Sequence, residues 1–225
     1  MALRSRRAGA AIILAAAVAL GGARPVRAQA WNYPAFQPPA LVTREFNFGV
    51  ASAGDEGTSG IFQWREHVGP RSQFALDFGL ASPSGGKTYF LAGGSGAYQL
   101  LQSTADMPLE LLATFGGYAA LGSPTNIVRL PVGVSIGHRF PLEGTLAVTP
   151  FAHPRISLDI CSQSRYCGDN RTKLNVNFDI GADVELSRQL SLRGATTFCG
   201  TGFSGRDHTG FGISLAVRPQ GLARR

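Results

Sequence analysis

The sequence predicts an all-β chain: a closed antiparallel up-and-down transmembrane β-barrel of about ten strands, with eight possible. Three observations carry that reading. Apolar residues recur at every second position through most of the chain from Thr43 to Val217, the face opposite them holds small residues and charges of both signs, and tight turns alternate with longer polar loops.

Residues 1–30 stand apart. Arg4, Arg6 and Arg7 precede an apolar run from Ala8 to Leu20, and Ala28-Gln29-Ala30 has the A-x-A form of a leader cleavage site. The run is short of the roughly 20 residues a spanning helix needs, so a secretory signal peptide cut after Ala30 is expected, not an anchor. The whole chain has 225 residues and a formal charge of +7, but the leader holds five arginines and no acid. What remains has 16 basic against 14 acidic side chains, which removes the main support for nucleic-acid binding. Hydrophobic residues at 44% are too plentiful for disorder. Residues 31–42, WNYPAFQPPALV, contain three prolines and three aromatics and predict an arm that is neither helix nor central strand.

The barrel is expected over 43–217, followed by a basic tail at 218–225. Its clearest strand sets Val128, Leu130, Val132, Val134 and Ile136 against Arg129, Pro131, Gly133, Ser135 and Gly137. A second sets Leu174, Val176, Phe178, Ile180, Ala182, Val184 and Leu186 against Asn175, Asn177, Asp179, Gly181, Asp183 and Glu185. The same alternation runs through Phe46–Val50, Phe74–Leu80, Leu109–Phe115, Leu146–Leu158 and Phe211–Val217, and more weakly through 60–67, 88–101 and 190–198. Pro131, Pro150 and Pro154 each remove a ladder donor and predict bulges or shifted strand boundaries. Ten extended residues rise about 33 Å and, tilted near 45°, cross about 24 Å, the height of the apolar band of such barrels.

Alternation alone does not say which face is inside. A water-facing wall favours Lys, Glu, Thr and Gln, whereas here the polar face is rich in Gly49, Ala75, Gly79, Gly133, Gly137, Gly181, Gly212 and Ser214, which suit a crowded interior. Asp77, Glu110, Arg129, Arg155, Asp179, Asp183, Glu185 and Arg193 are interspersed among them. Ten strands leave little bore, so these charges are expected to form a paired, largely plugged lumen network. Both termini fall at the tight-turn end. Cys161 and Cys167 lie together in one long loop at the other end and are the compact candidate for a disulfide, with Cys199 at the start of another loop as a competing partner.

Over residues 43–217 this pattern resembles the outer-membrane β-barrel family of Gram-negative bacteria, in its small eight-to-ten-strand range. His208-x-Gly210-x-x-Ile213-x-Leu215 is similar to the C-terminal assembly signal of that family, although the chain runs on as Arg218-Pro219-Gln220 to Arg225 where members of the family usually end on an aromatic residue. The resemblance implies residence in the outer membrane, with lipid and the barrel assembly machinery as partners.

No constellation specifies a reaction. Ser204, Asp207 and His208 share the last long loop, but adjacent residues on a strand point to opposite faces. Gly93-Gly94-Ser95-Gly96-Ala97 departs from G-x-S-x-G at Ala97 and lacks a strand-turn-helix setting. His67, His138 and His153 form no cluster, and Trp64, Tyr89 and Tyr98 fit either an interfacial girdle or plain lipid-facing packing. The expectation is a non-enzymatic barrel without metal or cofactor, structural or surface-binding, whose surface ligand the sequence does not name. A narrow solute pore, a rim-site hydrolase and a soluble periplasmic lipocalin-like barrel are the alternatives.

Overall fold

The computed structural model describes residues 33–53, 57–84, 87–123, 125–162, 171–200 and 208–219. Its strands are β1 Arg44–Ser52, β2 Gly57–Gly69, β3 Ser72–Pro83, β4 Tyr89–Leu101, β5 Glu110–Leu121, β6 Ile127–Gly137, β7 Phe140–Pro141, β8 Ala147–Cys161, β9 Thr172–Glu185, β10 Leu190–Cys199 and β11 His208–Val217. Each pairs antiparallel with the next, except that β7 is a two-residue ribbon on β8 and β6 pairs β8 directly. β1 pairs β11 from Phe46↔Val217 to Ser52↔Phe211, which closes the sheet. The result is a barrel of ten long strands, and the three weakly patterned segments are its β2, β4 and β10. The leader at 1–30 and most of the tail, 220–225, lie outside the described residues.

The alternation becomes an inside-out protein. Leu174 is 70% exposed on the outer wall and Val176 60%, while Asp179, three residues on and so on the opposite face, is wholly buried in the lumen. Register puts like with like: Leu174 stands opposite Leu158 and Val176 opposite Ile156 outside, while Asn175 faces Ser157 and Asn177 faces Arg155 inside. Phe48, Val50, Phe115, Val132 and Ile213 continue the outer band around the barrel. Every strand except the ribbon has 9 to 15 residues, long enough to cross an acyl layer, and closure leaves no unpaired edge within it. These features define a transmembrane β-barrel of the outer-membrane type.

The prolines act differently from the sequence expectation. The β5–β6 ladder keeps one register from Phe115↔Val132 to Tyr118↔Arg129, but the rungs at Gly116 and Gly117 are unmade, because Pro131 has no N–H to give the Gly116 carbonyl. Pro154 interrupts β6–β8 in the same way between Gly133↔Arg155 and Ile136↔Ala152. Pro150 sits opposite Ala182 in an intact β8–β9 rung. None of the three makes a bulge. The register shifts of the barrel lie instead at His67/Gly69 and Gln99/Leu101, near the tight-turn end.

An outward charge is the direct check of this orientation. Ile180→Arg, midway along β9, is expected to destabilise the barrel in phospholipid vesicles by about 2–4 kcal/mol, read from guanidinium unfolding. An unchanged midpoint would mean that position 180 does not face lipid.

Candidate functional site

The polar residues that strand alternation turns inward meet in a lumen too narrow to hydrate them separately. At the turn end, Arg193 grips Glu45 with two nitrogens, Nη1 to Oε1 at 2.6 Å and Nη2 to Oε2 at 2.7 Å, and donates from Nε to Asp183 Oδ1 at 2.9 Å. Arg65 adds a contact to Glu45 Oε1 at 3.2 Å, and Arg218 reaches Glu45 Oε2 at 3.0 Å and Asp183 Oδ2 at 3.4 Å. Midway up, Arg155 Nη2 donates to Asp179 Oδ1 at 2.8 Å. Towards the loop end, Arg129 binds Asp159 bidentately at 2.8 and 2.7 Å. Such planar forks fix both partners in orientation as well as in charge.

Among the residues singled out from sequence, the structure thus joins Arg193 to Asp183, Arg155 to Asp179, and Arg129 to a partner that was not foreseen, Asp159. Glu185 lies at the turn-end mouth and pairs with Arg139 at 2.7 Å, and Glu110 lies partly buried at the first position of β5. Asp77 is buried but has no guanidinium partner among the described residues; it accepts from Gln63 Nε2 at 2.9 Å. Glu45 and Arg65, both fully enclosed, were missed although each is the polar alternate to Phe46 or Trp64. Arg218, placed in a basic tail, is instead drawn to the lumen rim. Of the cysteine pair, Cys161 is buried while Cys167 lies outside the described residues; Cys199 is a free, buried thiol.

The remaining lumen is filled by the arm. Tyr33–Val42 has no regular structure and runs down the inside of the barrel, from Tyr33 at the loop end to Val42 at the turn end. Val42 N donates to Gln73 Oε1 at 2.9 Å near the start of β3, and the Gln37 carbonyl accepts from Ser135 Oγ at 2.6 Å. Higher up, the Phe36 carbonyl accepts from Arg65 Nη2 at 2.8 Å and Ala35 N donates to Asp179 Oδ2 at 3.2 Å. Tyr33 then packs on Tyr89, Leu91, Ala120 and Ile127, the loop-end rungs of β4, β5 and β6. Tyr89 therefore points into the lumen and belongs to neither a girdle nor a lipid-facing surface.

Small residues on the wall make room for this arm. Phe36 is completely buried, and a Cβ on Gly212 would come within 2.6 Å of its Cζ, one on Gly49 within 3.2 Å of its Cε2. Phe36 also has φ 47°, a left-handed conformation that costs a bulky residue about 1–3 kcal/mol and persists only where surrounding contacts fix it. Arg65 and the Gly49–Gly212 notch provide those contacts. With the arm in place, spaces of about 50 Å³ beneath Tyr33 and about 40 Å³ beside His153 remain in the lumen, and a cleft of about 410 Å³ opens at the turn-end mouth between the arm and Arg139, Glu185 and Arg218.

One grouping has the order of a hydrolytic site. Thr114 Oγ1 lies 2.8 Å from His153 Nε2, and His153 Nδ1 lies 3.6 Å from Asp179 Oδ2. Asp179, however, is engaged by Arg155 and by the arm's Ala35 N–H, and the void beside Thr114 has room for about three waters, not for an ester. The geometry is that of a hydrogen-bonded core histidine. Gly93-Gly94-Ser95-Gly96-Ala97 runs within β4, where Gly93 leaves space for the Tyr118 ring. Ser204 and Asp207 lie outside the described residues, as does the side chain of His208.

No protein-family description matches the chain, and no curated protein matches it in sequence. Similar solved structures include barrels of the bacterial outer membrane. LpxR from Salmonella typhimurium is 9% identical with a TM-score of 0.49, over 79% of this chain and 85% of that one. The KdgM porin in complex with disordered oligogalacturonate is 7% identical with a TM-score of 0.40, over 80% and 100%. A bacterial polysaccharide outer membrane secretin is 10% identical with a TM-score of 0.46 over 73% of this chain, which spans 57% of the secretin's length. These likenesses concern barrel shape; the chemistry must be read from this chain's own lumen.

Glu45 is the most heavily used of these groups, so its removal tests the network. Glu45→Ala leaves Arg193 and Arg65 buried without their shared carboxylate and is expected to cost about 3–5 kcal/mol, measured by denaturant unfolding. Asp106→Ala, in an exposed turn, is expected to stay within about 0.5 kcal/mol of the parent.

Proposed function

We propose that this chain is a closed, non-enzymatic outer-membrane barrel, exported by the leader at 1–30, whose plugged wall anchors loops for a structural or surface-binding role. The observation that carries this reading is the arm: residues 33–42 occupy the lumen along its length, hydrogen-bonded to β2, β3, β6 and β9. A pore for solutes needs a continuous aqueous path, whereas the spaces beneath Tyr33 and beside His153 hold only a few waters each, and the larger cleft of about 410 Å³ at the turn-end mouth is lined by the arm itself. Most of the charged side chains that would line a channel are already bound to one another, Asp77 and Glu110 being the exceptions among the described residues. Hydrolysis is disfavoured by the same crowding around Thr114 and His153.

The test is electrical. The parent chain in planar bilayers is expected to give no steady conductance, and deletion of residues 33–41 is expected to give stable single-channel steps while the barrel still shows heat-modifiable migration on semi-native gels. Steady current through the parent would overturn the closed-lumen reading in favour of a narrow pore. Esterase activity in the parent that Thr114→Val abolishes would overturn the non-enzymatic one.

A further inference from the structure

Among the described residues the salt-bridge network leaves two predicted lumen carboxylates over, the half-buried Glu110 at the start of β5 and the fully buried Asp77. Among the described residues Glu45, Asp159, Asp179 and Asp183 each hold an arginine within 3.2 Å, whereas Asp77, 3% exposed, holds none, and its Oδ1 has no hydrogen-bond partner. A buried carboxylate with no guanidinium in direct contact is costly, and Arg65 reaches Asp77 only through the Gln63 amide, at 3.2 and 2.9 Å. Asp77 is also placed to be used, because it lines the void of about 50 Å³ beneath Tyr33.

That void has a definite character. Its upper wall is apolar, made by Leu91, Ala120 and Ile127 at the last rungs before the loops, and two phenol rings, Tyr33 and Tyr118, flank it. Arg129 and Arg155 also border it, but each is already neutralised, by Asp159 at 2.7 Å and by Asp179 at 2.8 Å. Asp77 is then the one charged group on the cup's lining that has no direct ion pair among the described residues. A volume of this size takes roughly four water-sized bodies, hence an ammonium group with a short hydrocarbon stub. Aromatic faces favour such a cation, and the apolar wall favours its alkyl end over a bare hydrated ion.

We propose that this loop-end cup binds a small organic ammonium, held by Asp77 and flanked by Tyr33 and Tyr118. Calorimetric titration of the purified full chain in detergent with ethylammonium chloride, against potassium chloride at equal ionic strength, tests it. The expected result is saturable one-to-one binding of ethylammonium, at least tenfold tighter than that of potassium and weakened at least tenfold by Asp77→Asn. The carboxamide keeps the shape of Asp77 and its acceptor for Gln63, and heat-modifiable migration checks that the variant folds. Absence of saturable binding by the parent, equal affinity for potassium, or undiminished binding in a folded Asp77→Asn would each overturn the proposal. Should Asp77→Asn fail to fold, Tyr118→Leu serves instead, expected to weaken ethylammonium binding at least threefold, with unchanged affinity counting against the site. Conductance is unaffected by either outcome, so the closed-lumen reading stands or falls separately.

Discussion

Charge pairing inside a wall of ten strands is the constraint on which the rest depends. Lipid solvates the outer face, so the charged groups of the membrane-crossing rungs turn inward, the outer Arg44–Glu66 pair lying at the turn end, and the bore admits too little water to hydrate the inward ones one by one. Guanidiniums and carboxylates must therefore satisfy each other. Glu45 illustrates it: wholly enclosed, it is reached by Arg193, Arg65 and Arg218 from three different strands or their ends. Because β1 is the strand that closes on β11, this carboxylate also ties the seam of the barrel to β2 and β10. Such a network adds little to stability over an apolar filling, but it penalises any register in which a charge loses its partner.

Side-chain pairing alone does not fill the bore. The arm completes the interior by supplying backbone carbonyls to Arg65 and Ser135 and an N–H to Asp179, groups that the wall would otherwise leave partly unsatisfied. Its prolines suit that task, since a Pro-rich segment has fewer donors to satisfy away from a sheet. Glycines at 49 and 212 form the notch that takes the Phe36 ring. The wall tolerates its own prolines for a related reason: Pro131 and Pro154 each forgo one ladder bond, a loss of about 1 kcal/mol within a barrel whose register is held on both sides of the gap.

Strand positions, and the identity of the face that meets lipid, were readable because both follow from a period of two and from the smallness of the residues opposite the apolar ones. The pairing of charges was readable only in part. Arg193 with Asp183 and Arg155 with Asp179 lie on neighbouring strands, but Arg193 with Glu45 brings together residues 148 positions apart through ring closure, which no local pattern encodes. Asp159 lay one step beyond the last apolar position recognised on β8. The prolines misled because a missing donor need not displace the strand when its neighbours keep register. The path of the arm was not legible at all: its sequence excludes helix and strand, but nothing local to 33–42 says that it turns back into the barrel.

The decisive measurement is nuclear Overhauser contact between the Phe36 ring and the α-protons of Gly49 and Gly212 in the detergent-solubilised chain. The account requires strong cross-peaks to both glycines, with dispersed amide shifts across 33–42. Random-coil shifts for that segment and no cross-peak to either glycine would contradict it, since an arm outside the barrel takes from Arg65 and Asp179 the backbone carbonyl and N–H that it supplies.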